Sequence, residues 1–98
     1  MSTSPISTSL PRALSVSVDE HTLTFHLSDG RSVSAPLDWY PRLVHGTTAE
    51  RTRWELIGGG ESVHWPDLDE DISVANLLNG SRSGESQRSL SKWLAGRS

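Results

Sequence analysis

Hydrophobic residues alternate with polar ones over two stretches near the start of the chain. Leu14, Val16 and Val18 are separated by Ser15 and Ser17, and Leu23, Phe25 and Leu27 by Thr24 and His26. A period of two predicts strands with one apolar face. Between them, Asp19 to His21 predicts a turn. A second turn is predicted at 28–31, where Asp29-Gly30 supplies the positive φ of a tight hairpin, and Val33 and Ala35 continue the alternation beyond it. The first part of the chain is therefore expected to be a three-stranded antiparallel meander.

After Pro36 the period lengthens. Asp38 is positioned to cap a helix through Trp39 to His45 that Gly46 ends, with Pro41 harmless in its first turn. Thr47 and Glu50 have capping-box spacing, so a second short helix to about Arg53 is predicted. Trp54, Leu56 and Ile57 lead into Gly58 to Gly60, and Val63 and Trp65 follow, which predicts a second hairpin with the glycine run as its turn. Ser73 caps a helix bearing Val74, Leu77 and Leu78 that stops at Asn79-Gly80. Ser86 opens a last helix in which Leu90, Trp93 and Leu94 share a face. The expected fold class is α+β: an antiparallel meander plus a second hairpin, with short helices packed on one side. Residues 1–12, rich in Ser, Thr and Pro, read as a disordered arm, 13–80 as the core domain, and 81–98 as a hinge and a basic amphipathic helix.

Length and composition narrow the function. Ninety-eight residues with 34% hydrophobic content hold one small core, so a homodimer contact or a partner protein that adds buried area is a natural expectation. The absence of cysteine excludes disulfides, thiolate zinc sites and cysteine nucleophiles. No long apolar run or secretory leader is evident, which makes a cytoplasmic protein without membrane contact the expectation. Residues 1–80 carry five Arg against eleven Asp and Glu, a net −6, whereas residues 81–98 carry Arg82, Arg88, Lys92 and Arg97 against Glu85, a net +3.

The densest charge is Asp67, Asp69, Glu70 and Asp71. Alternating Asp67, Asp69 and Asp71 imitate the start of a calcium loop, but Ile72 stands at the glycine position and Leu78 at the bidentate glutamate position, which rules that loop out. The simplest reading sets these acids ahead of the Ser73-capped helix, where the helix dipole favours negative charge by about 0.3–1 kcal/mol. His21, His26, His45 and His64 are dispersed, with no pair at metal-ligand spacing. No catalytic residue, cofactor site or metal site is therefore expected. Gly58 to Gly60 lacks the spacing of a phosphate loop, and no GxSxG elbow is present. Of Trp39, Trp54, Trp65 and Trp93, the first three read as core, and Trp93, on the basic helix, as a contact to a partner or second copy.

The run PLDWYPRLVHGTTAERTRWELIGGGESVHWPDLDEDISVANLLNG and the tail SGESQRSLSKWLAG resemble the bacterial domain of unknown function 2442, over about residues 13–96. The motifs that carry the resemblance are WYPRL, WELIGGGE, HWPDLDEDIS and LLNG. The resemblance implies a small α+β domain, some of whose relatives are encoded beside a second small protein as the antitoxin-like member of a toxin–antitoxin pair. It carries no catalytic residue onto this chain. Gly46-Thr47-Thr48 departs from the Thr-Pro helix start of the family, which affects a cap and no chemistry.

Three functions follow as expectations. The first is a non-enzymatic protein-interaction domain that covers a small basic toxin, with Asp67, Asp69, Glu70, Asp71, Arg88, Lys92 and Trp93 as contact residues. The second is a nucleic-acid-binding autoregulator acting through Arg88, Lys92 and Arg97, with the salt dependence of phosphate contacts; the short basic run makes it the weaker. The third and weakest is a metal-dependent enzyme at His64 and Asp67.

Overall fold

The computed structural model describes residues 10–97. Among these residues the elements run β1 (Ala13–Val18), β2 (Thr22–Leu27), β3 (Ser32–Pro36), a single 3-10 turn (Leu37–Trp39), α1 (Pro41–Val44), α2 (Thr48–Thr52), β4 (Glu55–Ile57), β5 (Ser62–Trp65), β6 (Glu70–Ser73), α3 (Val74–Leu78) and α4 (Gln87–Arg97). Two antiparallel three-stranded sheets form, in the orders β1-β2-β3 and β4-β5-β6. The α+β class is as expected. Of the arm expected at 1–12, residues 1–9 lie outside the described residues, and Arg12 is already joined to the first sheet, donating its N–H to Ser28 Oγ and accepting from Ser28 N–H through its carbonyl.

The first sheet follows its alternation closely. Leu23, Phe25 and Leu27 are buried, while the hydroxyls and His26 on the opposite face bond one another across the strands: Ser17 Oγ and Ser32 Oγ lie 3.0 and 3.1 Å from the two His26 ring nitrogens. Asp19 makes the first turn, its Oδ1 accepting the N–H groups of His21 and Thr22, which holds its carboxyl below the usual range. The second turn contains Gly30 at φ +92°. One expectation fails here. Leu14 is 60% exposed and Ala13 is buried, because a bulge between Ala13 and Ser15 inserts Leu14 as an extra residue opposite β2 and turns it outward.

The middle of the chain corrects two further expectations. Asp38 caps nothing: the backbone makes a 3-10 turn at Leu37–Trp39, and α1 starts at Pro41 behind Tyr40, with no side-chain cap. Pro41 at the first helical position sets that start by its fixed φ. The second hairpin is in fact a three-stranded sheet, since residues 70–73 form β6 and pair with β5 at Trp65↔Glu70, His64↔Asp71, Val63↔Ile72 and Ser62↔Ser73. Acid-rich segments are depleted in strands, which hid this one. The acidic run therefore reaches the Ser73-capped α3 by way of a strand, with its acids spread over a turn and that strand. Asp67 and Asp69 occupy a turn, in which Asp69 takes φ +51°, and Glu70 and Asp71 are strand residues.

Thr47 forms the expected capping box with Glu50, and Ser73 caps α3 by accepting from Asn76 N–H. One core joins both sheets: Leu23, Phe25 and Leu27 from the first, Val63, Trp65 and Ile72 from the second, with Leu37, Tyr40, Leu43, Leu68, Val74 and Leu77 between them. The sheets also meet through backbone, the Ala13 N–H donating to Gly60 O at 2.8 Å.

Candidate functional site

The pleat of β6 separates the acids. Glu70 and Ile72 share the inner face with Trp65 and Val63, so Glu70 is drawn inward and Asp71 outward. Glu70 Oε1 accepts the Asp71 N–H at 3.1 Å, and its Oε2 is buried without a hydrogen-bond partner among the described residues. Burial pushes the Glu70 carboxyl upward. On the outer face Asp71 Oδ1 lies 2.6 Å from His64 Nδ1. Asp67 pairs instead with Arg53 at 3.1 Å. His64 and Asp67, brought together only in the weakest of the three expectations, thus have different partners. Among the described residues no three His, Asp or Glu side chains are grouped to hold a metal ion.

Arg42, which sequence reasoning missed, organises the region. Its Nε and NH2 donate to Glu85 at 2.7 and 2.6 Å, and its NH1 donates to the Asp69 carbonyl at 2.9 Å. The same guanidinium lies 5.0 Å from the centre of the Trp93 ring, and Arg97 stacks on that ring at 4.7 Å. Arg97 continues to Glu50 Oε1 at 2.8 Å. The last helix accordingly folds back on the core, held at its start by Arg42–Glu85 and at its end by Arg97–Glu50, with Trp93 half-buried between two cations. No local pattern announces Arg42; its partners arrive from residues 69, 85 and 93 only through the fold. The linker is held as well, by Tyr40 OH on the Ser81 carbonyl, Ser83 N–H on the Trp39 carbonyl, and Arg82 stacked 5.0 Å from the Trp39 ring.

Of the seven contact residues expected from sequence, Asp69 and Trp93 meet at Arg42, Asp67 and Asp71 are engaged by Arg53 and His64, and Glu70 faces inward. Arg88 and Lys92 are exposed and line an open groove with Arg42, Ser86, Ser89 and Trp93. The acidic run and the basic helix are therefore brought together within one chain.

These pairs make stability depend on pH. The Arg97 guanidinium, with the Thr47 N–H, holds Glu50 down at about 2, and Arg42 holds Glu85 below its ordinary range. A lowered folded value means that the unfolded chain binds the proton more tightly. This stabilisation is complete above the ordinary glutamate value and is lost as pH falls through it toward about 2. Glu70 has the opposite sign, since its folded carboxyl keeps a proton to higher pH than the unfolded one. Thermal melts from pH 6 down to pH 3 are expected to show falling Tm in the native chain and a flatter slope in Glu50→Gln; equal slopes would show that the Arg97 contact contributes nothing.

Large apolar side chains are exposed at Leu10, Leu14, Val44, Leu56 and Ile57. Two of these border the joint between the sheets in connectivity: Ala13, beside Leu14, donates to Gly60 O, and Gly60 N–H donates to Ile57 O.

Comparison with known proteins places the fold. The sequence profile of DUF2442, described as a protein of unknown function, matches residues 13–83, ending before α4. A crystal structure of a protein of unknown function from Rhodospirillum rubrum ATCC 11170 superposes with TM-score 0.68 at 23% identity, covering 81% of this chain and 98% of that one. A solution NMR structure of an uncharacterized protein from Chromobacterium violaceum superposes with TM-score 0.63 at 26% identity, covering 88% of this chain and 75% of that one. No curated protein matches the chain. With the matched residues running through all six strands and α1 to α3, the chain belongs to the DUF2442 family.

Proposed function

We propose that the protein is a cytoplasmic, non-enzymatic interaction domain that binds a small basic protein, as the antitoxin-like member of a pair. The observation that carries this reading is the exposure of Leu14 and Ile57, both bordering the Ala13–Gly60 joint of an otherwise acidic body. Exposed apolar side chains grouped on a small polar domain mark a contact surface. The net −6 over residues 1–80 favours a partner of opposite sign and speeds its approach. No helix of the described residues is long and apolar enough to cross a membrane. The nucleic-acid alternative is weakened because Arg97 is tied to Glu50, leaving Arg88 and Lys92 as the exposed cations of α4 without an ion pair among the described residues.

A tagged full-length chain, drawn from lysate of the source organism with mass spectrometry and a parallel assay for nucleic acid, tests this. The expected result is a stoichiometric small basic protein whose affinity falls at least about tenfold, or 1.4 kcal/mol, in the Leu14→Ser/Ile57→Ser double variant. That protein, expressed alone, should slow growth, and this chain should restore it. Recovery of nucleic acid alone, or of nothing, would overturn the reading.

A further inference from the structure

The two sheets have four edges, and the chain protects three of them. The β1 edge carries the Leu14 bulge, β3 ends in Pro36 and borders α3, and on β6 the Asp71 N–H is taken by its neighbour's carboxylate at Glu70. Bulges, prolines and side-chain capping are the usual ways of blocking an edge. The β4 edge has no bulge, proline or side-chain cap on its backbone among the described residues; only its shortness, three residues, and Glu55 guard it.

Its backbone orientation follows from the ladder. Val74 N–H donates to Glu61 O, which points the Glu61 carbonyl toward β6. Alternation along β5 then directs the backbone groups of Val63 toward β6 and those of Ser62 and His64 toward β4. Their partners Ile57 and Glu55 are thereby used, and Leu56, between them, turns its N–H and C=O away from the sheet. β4 presents one apolar side chain on each face, with Glu55 beside Ile57 on the outer one. Leu56 shares the inner face with Val63 and Ile72 yet is 40% exposed, and Ile57, on the outer face in line with Ser62 and Ser73, is 46% exposed. Two carboxylates flank this edge, Glu55 on the strand and Glu61, whose Oε1 lies over Gly58. Neither has an ion-pair partner among the described residues, whereas the neighbouring Arg53 is paired with Asp67.

We infer that β4 is an acceptor edge that takes an extended segment of a partner chain as a fourth strand, the segment alternating apolar residues with Lys or Arg. This rests on the interaction reading above and names its site. Backbone bonds to Leu56 give such a strand its register, Leu56 and Ile57 receive its apolar side chains on the two faces, and Glu55 and Glu61 select for positive charge. A second copy of this chain is a poorer occupant, because both copies carry the same net negative charge.

The test is a titration of the isotope-labelled full chain with two synthetic peptides, one built on a Lys-Ile-Lys-Val-Lys core and the other on Glu-Ile-Glu-Val-Glu, read by amide chemical shift. The lysine peptide is expected to move the amides of residues 54–58 and 61, with binding weakened several-fold between ~0.15 and ~1 M salt. The glutamate peptide is expected to move none. Leu56→Pro removes the outward N–H while keeping an edge position that proline tolerates, and should abolish the response. Glu55→Lys/Glu61→Lys keeps the backbone and should reverse the preference to the acidic peptide. Equal response to both peptides, shifts confined to α4, or no shift would overturn the assignment. So would a dimer in sedimentation equilibrium that Leu56→Pro abolishes. A basic protein captured from lysate with β4 unmoved by peptide would leave the interaction reading standing and remove this site, whereas a responsive β4 with no captured protein would do the reverse.

Discussion

Trp65→Ala is expected to destabilise the domain by about 3–5 kcal/mol, enough to leave a chain of this size largely unfolded at 37 °C. Trp65 is the largest fully buried side chain of the described residues. It stands in the central strand of the second sheet, where neighbours on both sides prevent collapse into the space it leaves. Its indole Nε1–H donates to the Arg51 carbonyl at 3.0 Å, so truncation also leaves the last turn of α2 short of a donor. Urea unfolding followed by circular dichroism measures the loss. Trp65→Phe, which keeps most of the volume and loses the donor, should fall well short of it. Similar midpoints for the alanine variant and the native chain would mean that the second sheet does not depend on this side chain.

Gly60→Ala is expected to cost about 3 kcal/mol or more, against about 1 kcal/mol for Gly80→Ala. Both glycines have positive φ, +109° and +75°. The difference lies in what a methyl group would meet. At Gly60 it would stand 2.5 Å from the Ala13 carbonyl oxygen and 2.9 Å from Arg12 Cβ, both fixed by the backbone, whereas at Gly80 nothing lies within 4 Å. Relief at Gly60 requires the start of β1 to move away from the β4–β5 turn, which breaks the Ala13–Gly60 hydrogen bond between the sheets. Comparing the urea midpoints of the two variants separates backbone strain, common to both, from the close approach peculiar to Gly60. Equal losses would refute the close-approach argument.

The chain announces its structure where the local pattern and the final environment agree. The strands of the first sheet, the Thr47–Glu50 box, the glycine turn at 58–60 and the Ser73 cap were all legible, each specified within a few residues. Leu14 was misread because periodicity carries no register, and the bulge that turns it outward is settled by the pairing of Ala13 with Leu27. The β6 strand was missed because Glu70 and Asp71 disfavour strands by composition. The signal available was Leu68 followed by a turn-forming Asp69, with Glu70 and Ile72 in step behind it. Asp38 has the residue type and place of a cap, but Pro41 fixes the helix start later. In the candidate site, the acids and the basic helix were recognised as unusual, yet their mutual pairing through Arg42 depends on contacts spanning 27 and 43 residues of sequence. The open β4 edge is likewise a property of the assembled sheet.

Helix α4 contains no fully buried residue and is attached mainly through polar and stacked side chains, Glu85 just before it and its own Trp93 and Arg97, to sites on α1 and α2. Its apolar contribution to the shared interior is slight, and the family profile stops short of it. An element fastened this way is modular: its sequence can diverge, or be replaced by another fitting with a carboxylate and an aromatic ring at the right separation, without repacking the sheets. Variation within the family is thus expected to concentrate in this segment, while Arg42 and Glu50 constrain what can be attached.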